Sequence, residues 1–368
     1  MQLFLDLFGN VLNFTWQHAV MIVVGAVLVF LAIKKKMEPS LLLPMGFGAI
    51  LVNLPFVQTE AIETLFNAGI ASELFPLLLF IGIGAMIDFG PLLSSPKMFL
   101  FGAAAQFGIF FTLVVAVIVG FDLKDAASTA IIAAADGPTS IYVANYFQSK
   151  YQGAIMVAAY SYMALVPIIQ PPIIRTITTK KERAIKMVYT PSSVSKTTRI
   201  LFPIFVTIIA GTVAPKSAEL IGFLMFGNLI RECGVLDSLS QSAQHELANL
   251  ITLLLGLSVS LKMQAEYFVT WETLLILVLG LVGFVFDTVG GVFFAKFLNF
   301  FSKKKINPMI GAAGISAFPM ASRVIHKMGL EEDPFNYLLM HAAGANVSGQ
   351  IASVIAGGLI ITLVEGIL

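Results

Sequence analysis

The sequence predicts an all-α polytopic membrane protein of about eleven transmembrane helices, with two internal repeats and broken or re-entrant helices at mid-membrane. Of its 368 residues, 58% are hydrophobic and 12% charged, and the mean hydropathy is +0.90. A soluble domain carries roughly 45–50% apolar and about 25% charged residues, so this chain lacks the charge to cover a water-facing surface. Apolar runs of the length a bilayer demands, about 20 residues, fill almost the whole chain. They lie near 19–33, 40–57, 73–90, 98–120, 126–147, 153–174, 199–214, 218–230, 247–261, 271–300, 306–322 and 335–364. Several are interrupted at their centres by Gly, Pro and polar residues. The balance of 22 basic to 21 acidic residues offers no basic face for nucleic acid. The single cysteine, Cys233, excludes an intramolecular disulfide and a Cys-built metal cage, and reads as a small buried apolar residue.

Residues 1–18 are expected to form an interfacial segment, followed by one transport domain over 19–368. Asp6 stands where a secretory signal would be basic, and no small-residue cleavage site follows. Phe4, Leu7, Phe8, Val11, Leu12 and Trp16 fall roughly on one face, the pattern of an amphipathic helix in the interface. Asp136-Gly137-Pro138-Thr139-Ser140 interrupts the run 126–147. Asn307-Pro308 opens another interrupted run that passes Gly311, Gly314, Ser316 and Pro319. Such backbone is tolerated at membrane depth only where protein or a watery cavity satisfies it, and broken helices mark the ion or substrate site of secondary transporters. A further break is expected from Pro167 to Pro172.

Seven basic residues against Glu182 make the loop 175–199 cytoplasmic, and Lys303, Lys304 and Lys305 mark a second cytoplasmic loop four spans later. Lys34, Lys35 and Lys36 belong on the same side, yet five spans separate them from Arg175. The run 40–55 is therefore expected to be re-entrant. Aligning Asp136 with Ser316 sets Gln170 opposite Gln350, each 34 residues downstream, which defines repeat halves of about 70–175 and 245–355.

Asp136 is the strongest functional signal. An acid at the centre of an apolar run costs about 2.5–3.5 kcal/mol or more, although the same carboxylate can simply cap the half-helix after the break. Beside hydroxyls and freed carbonyls it offers hard oxygen ligation, suited to Na+ or a proton. Asn307, Ser316 and the carbonyl at Gly311 are matching ligands from the second broken run. Asn346 is costly to bury unpaired, whereas Ser348 and Ser353 serve helix packing or ligation equally well. Tyr160 and Tyr162 follow Asp136, and a phenol there delivers a proton or bonds a freed carbonyl. Arg323 is placed to bind a carboxylate bidentately or to snorkel at a helix end. Asp287 is a second buried acid with no partner evident in sequence. The histidines have no metal-ligand spacing, and HExxH and Walker patterns are absent.

The blocks "AADGPTSIYVANY", "YSYMALVPIIQPPI", "FGNLIRECGV", "NPMIGAAGISAFPMASRV" and "LLMHAAGANVSGQIAS" resemble, in order, the membrane β subunit of the sodium-translocating, biotin-dependent carboxylic acid decarboxylases. The resemblance covers essentially the whole chain. It implies that a carboxyltransferase moves CO2 from a carboxylic acid onto biotin. Carboxybiotin, presented by a partner subunit, is then decarboxylated at the β subunit with a periplasmic proton while Na+ moves outward. It also implies that Asp136 is the essential acid, Tyr162 the functional tyrosine and Arg323 a catalytic and carboxybiotin-binding arginine. Asn307, Gly311 and Ser316 are implied as one Na+ site and Asp136 with Asn346 as another. The implied partners are biotin carrier and carboxyltransferase subunits and a small membrane-anchored subunit, with the chain a homo-oligomer in the bacterial inner membrane. The chain is shorter than the oxaloacetate type and closer to the acyl-CoA types.

Two rivals remain at this level. A stand-alone secondary ion or carboxylate antiporter would share the broken helices, the repeat and the buried acid. A structural anchor would dock soluble subunits through the basic loop 175–199.

Overall fold

The computed structural model describes residues 14–55, 57–188 and 194–368, and its elements are helical. Among the described residues, seven helices are long and apolar enough to cross a membrane: Trp16–Lys35, Pro96–Val119, Gln152–Ile177, Lys196–Val213, Asp237–Met263, Trp271–Phe301 and Leu339–Ile367. An eighth span results if Glu60–Ala71 and Leu74–Met86, bent by 62°, count as one. Side chains such as Val23 (62% exposed), Ile118 (76%) and Ile208 (60%) face outward, so the periphery suits lipid and the protein is a polytopic membrane protein.

Several expected spans are shorter than a bilayer. Pro39–Val52 has 14 residues and Ala218–Glu232 has 15, or about 21 and 22 Å at 1.5 Å per residue. Residues 1–13 lie outside the described residues, and with them most of the expected interfacial segment. Trp16, assigned to that segment, instead opens the first long helix, with Thr15 as its N-cap. The break expected from Pro167 to Pro172 is absent: Gln152–Ile177 continues through Pro167, Pro171 and Pro172. Packing outweighs helix propensity in a buried segment of this length.

Ion pairs divide the molecule into two ends. At one, Arg175 meets Glu331 at 2.8 Å, Arg183 meets Glu332 at 2.6 Å and Lys296 meets Glu182 at 3.0 Å. Lys186 bonds Asp333 at 2.8 Å and holds that carboxyl below its usual range. This is the basic end, the one that charge bias leads one to expect on the cytoplasmic side. At the other end Lys150 meets Asp122 at 3.7 Å, Phe121 stacks edge-on against Tyr151, and Lys216 meets Glu365 at 3.1 Å.

The chain from Asp122 to Lys150 therefore leaves the second end and returns to it. It runs in as Leu123–Ala130 and the 3-10 turn Ile131–Ala134, reverses at Ala135 with a left-handed φ of 50°, and runs back as Gly137–Tyr146. Residues 307–332 form the opposite hairpin from the basic end. Asn307 donates to the Arg183 and Ile185 carbonyls at 2.7 and 2.9 Å, the single turn Met309–Ala312 follows, and Met320–Glu332 returns. The tips meet where Ser316 N–H donates to the Ala134 carbonyl at 3.2 Å.

The turned-back segment thus differs from the one expected. Pro39–Val52 is an ordinary helix whose far end is held by Asn53, which donates to the Met263 carbonyl at 2.9 Å and accepts from Ala265 N–H at 2.7 Å. Because 123–146 does not cross, Lys34 to Lys36 regain the side of the loop 175–199. The polar break was visible in sequence, but whether the chain passes through it or doubles back depends on what its ends touch.

Glycines bring the helices together. A Cβ at Gly227 would lie 2.0 Å from the Ile81 carbonyl oxygen, and one at Gly84 would lie 1.9 Å from that of Leu224, so Leu74–Met86 and Ala218–Glu232 touch backbone to backbone. Trp271–Phe301 is a spine for both hairpins: Gly283 lies against Ala133 and Gly291 against Gly311.

Two outcomes test this architecture. In a Cys233→Ser background, single cysteines replacing Asp122 and Lys150 should react with an impermeant maleimide from one side of sealed vesicles, and cysteines at Lys180 and Lys303 from the other. Labelling of positions 122 and 150 from opposite sides would refute the first hairpin. Gly227→Val should destabilise the detergent-solubilised protein by about 1–3 kcal/mol through overpacking, read as a lowered melting temperature.

Candidate functional site

The site is built on the reversal of the first hairpin. Asp136 is the N-cap of Gly137–Tyr146, with extended φ and ψ of −115° and 93°, and its Oδ1 accepts the Thr139 N–H at 3.2 Å. Pro138 in the first turn has no N–H to leave unsatisfied. The Asp136 carbonyl accepts the Ser140 N–H at 3.0 Å and the Ser140 hydroxyl at 2.7 Å. The acid thus caps a half-helix, and its other oxygen points at the opposite hairpin.

Oδ2 of Asp136 accepts from Ser316 Oγ at 2.9 Å, from Ser353 Oγ at 2.6 Å and from Gln350 Nε2 at 3.2 Å. Ser353 and Ser316 lie 3.0 Å apart. Asp136 and Ser316 are 3% exposed and Ser353 is fully buried. Desolvating a carboxylate costs several kcal/mol, and donors arranged around it offset that cost. Asn346, Gln350 and Ser353 belong to Leu339–Ile367 at spacings of four and three, which is one helix face. Asn346 Nδ2 donates to the Ile315 carbonyl at 2.7 Å, one residue before Ser316, while its Oδ1 is buried without a partner.

The structure thus brings Asp136, Ser316 and Asn346 together, with Ser353 and Gln350 added. Ser353 was already open to ligation in the sequence, and the i, i+4, i+7 spacing of Asn346, Gln350 and Ser353 would have added Gln350 to it. Asn307 and Gly311 take other partners. The Asn307 amide is committed to the loop carbonyls, and its Oδ1 accepts the Met309 N–H at 3.1 Å. A Cβ at Gly311 would lie 1.9 Å from the Gly291 carbonyl oxygen, so this glycine seats the hairpin on the spine. Gln170 reaches the same hairpin, donating to the Ala312 carbonyl at 2.8 Å.

The two tyrosines point apart, as residues two positions along a helix must. Tyr162 donates its hydroxyl to the Leu277 carbonyl, whereas the Tyr160 ring lies on Gly137. Arg323, in the first turn of Met320–Glu332, is exposed and within electrostatic reach of Glu38. Asp287 finds its partner in space: it accepts the Gly108 N–H and caps Phe107–Val119 after the interruption at Gln106. Ser348 donates to the Met98 and Ala345 carbonyls at 2.8 and 2.7 Å, a packing role. Among the described residues, no three His, Cys, Asp or Glu side chains converge as a metal cage. The hairpin tips instead gather hard oxygen donors, one carboxylate with hydroxyls and amides.

The family described as "Na+-transporting oxaloacetate decarboxylase beta subunit" matches residues 17–364. The chain is 48% identical over 356 residues to the glutaconyl-CoA decarboxylase subunit beta of Acidaminococcus fermentans, covering 96% of this chain and 95% of the relative. It is 47% identical over 355 residues to the methylmalonyl-CoA decarboxylase subunit beta of Veillonella parvula, with coverage of 96% and 95%. With the oxaloacetate decarboxylase beta chain of Klebsiella pneumoniae it shares 44% identity over 412 aligned positions, covering 94% and 95%. A near full-length match at this identity, on a helical bundle with a buried carboxylate between two hairpin tips, means that the chain belongs to the Na+-transporting decarboxylase β-subunit family and is the membrane subunit of a Na+-pumping decarboxylase.

Proposed function

We propose that this subunit couples decarboxylation of carboxybiotin, with uptake of a periplasmic proton, to outward movement of Na+ through a site on Asp136. The observation that carries the reading is the 2.9 Å contact of Asp136 with Ser316, which joins the tips of hairpins that start from opposite ends of the bundle. A cation held there faces a thin barrier on either side, the arrangement of transporters with broken helices. The halves 70–175 and 245–355 are read as inverted repeats. In support, Leu74–Met86, Pro96–Val119, hairpin 123–146 and Gln152–Ile177 are followed in the same order, with directions reversed, by Asp237–Met263, Trp271–Phe301, hairpin 307–332 and Leu339–Ile367. With the short helices and both hairpins at membrane depth, about eleven segments occupy the bilayer.

In this reading Asp136 holds Na+ as a carboxylate with Ser316 and Asn346, and protonation at the site displaces the ion. One site serving two cations links them without a long-range relay. Asn307 and Gly311 support the ion site by anchoring the hairpin that carries Ser316. Arg323 meets the carboxylate of carboxybiotin from the cytoplasmic side, where its exposed guanidinium matches that charge. The N–CO2 bond breaks, CO2 leaves, and the ureido nitrogen takes the proton. Tyr162 positions the helix Gln152–Ile177 against the spine. Biotin carrier, carboxyltransferase and small membrane-anchored subunits complete the enzyme in the bacterial inner membrane, with this chain as a homo-oligomer.

In vesicles of the complete complex, Asp136→Asn should lower Na+-dependent decarboxylation and 22Na+ uptake at least about 100-fold, equivalent to ~2.8 kcal/mol. Full Na+-dependent turnover in that variant would refute the reading. Ser316→Ala and Ser353→Ala each remove a bond to a charged acceptor and should each cost about 1.5–3 kcal/mol of stability. Because they share Asp136 Oδ2, the double variant should deviate from additivity by at least about 0.5 kcal/mol, measured by thermal or denaturant melting.

A further inference from the structure

The two oxygens of Asp136 have unequal surroundings. Oδ2 accepts three side-chain donors, whereas among the described residues Oδ1 accepts the Thr139 N–H at 3.2 Å. Two buried hydroxyls stand beside this carboxylate. Thr139 Oγ1 is fully buried beside the Asp136 carboxylate and has no other partner among the described residues. Tyr160 is 2% exposed, its hydroxyl has no partner among the described residues, and it lies within electrostatic reach of Asp136.

The position of Tyr160 depends on a missing side chain. A Cβ on Gly137 would fall 2.2 Å from the Tyr160 Cε1 and Cζ atoms, so glycine directly after Asp136 admits the hydroxyl-bearing end of the ring to the hairpin tip. A buried tyrosine hydroxyl normally finds a partner, and each exception in a well-packed interior calls for an explanation such as an ion. Tyr162 has no such need, because its hydroxyl donates to the Leu277 carbonyl and its ring faces Gly280.

We propose that Tyr160 and Thr139 donate hydroxyl oxygens to the Na+ ion held by Asp136, so that Tyr160, and not Tyr162, is the phenol at the cation. The proposal rests on the reading of Asp136 as the cation-binding acid. Hydroxyl oxygens are hard neutral ligands of the class a monovalent alkali cation takes, and both are already desolvated and held by the packing, so little ordering remains when the ion arrives. It also accounts for the bond pattern at Asp136: the Oδ2 side is filled by donors from the opposite hairpin and the C-terminal helix, which leaves Oδ1 as the oxygen that receives the ion.

The test uses the complex purified with its partner subunits, with NaCl titrated against choline chloride at constant ionic strength and Na+-dependent thermal stabilisation as the readout. Tyr160→Phe removes a hydroxyl that makes no hydrogen bond among the described residues, so its Na+-free melting temperature should equal or exceed that of the wild type. Its half-stabilising Na+ concentration should rise at least about tenfold, equivalent to ~1.4 kcal/mol. Thr139→Val, of equal size, should behave in the same direction and keeps the test open if Tyr160→Phe does not assemble. Asp136→Asn should lose the Na+ response altogether. If Asp136→Asn keeps that response, the acid reading itself fails. If Asp136→Asn loses it while both hydroxyl variants stay within twofold of wild type, the ligand proposal alone is overturned. A lowered Na+-free melting temperature with an unchanged Na+ response would identify structural hydroxyls and overturn it as well.

Discussion

A carboxylate buried between two hairpin tips needs donors, and those at Asp136 come from three separate parts of the chain. Its own half-helix supplies the Thr139 N–H, the opposite hairpin the Ser316 hydroxyl, and the C-terminal helix Ser353 and Gln350. Leaving the charge uncompensated would cost several kcal/mol, so the tips are held together by the requirement to satisfy it. On the proposed reading, a cation received by Oδ1 would neutralise the charge that the Oδ2 donors hold between the hairpins, and its occupancy would be tied to the packing of the two halves.

That junction depends on a rigid frame. Trp271–Phe301 carries glycines where each hairpin packs, Gly283 beside Ala133 and Gly291 beside Gly311, and between them Asp287 caps Phe107–Val119 across the helix interface. Asn307 and Gln170 then fix the base and one arm of the second hairpin. Residues with no contact to Asp136 thus determine where Ser316 stands. A substitution in the spine or at Asn307 and an ion ligand lost at the tip would both impair transport, by different physical routes, because the oxygen positions must hold to a fraction of an ångström.

Much of this could be read directly from the residues. The scarcity of charge identified lipid as the solvent, the Gly-Pro break flagged Asp136, and the basic loops oriented the chain. The alignment that set Gln170 opposite Gln350 has a physical counterpart, since Gln170 reaches into the second hairpin and Gln350 into the first. Other features were not legible. Asn307 looked like a ligand because it offers a side-chain oxygen at a broken apolar run, yet its amide donates to loop carbonyls more than 120 residues away in sequence. Tyr160 and Tyr162 were equivalent as residue types, and only the location of Gly137 and of the Leu277 carbonyl separates them.

Composition and hydropathy alone determined that this is a helical membrane protein with an acid set in a broken segment, because the bilayer imposes length and satisfaction rules that any sequence must obey locally. Tertiary structure decided whether a break is a crossing or a hairpin, and which neutral oxygens surround the acid. Those outcomes depend on contacts between residues far apart in the chain: Asp122 with Lys150, Asn307 with Arg183, and Asp136 with Ser316 and Ser353. No local pattern encodes such distances.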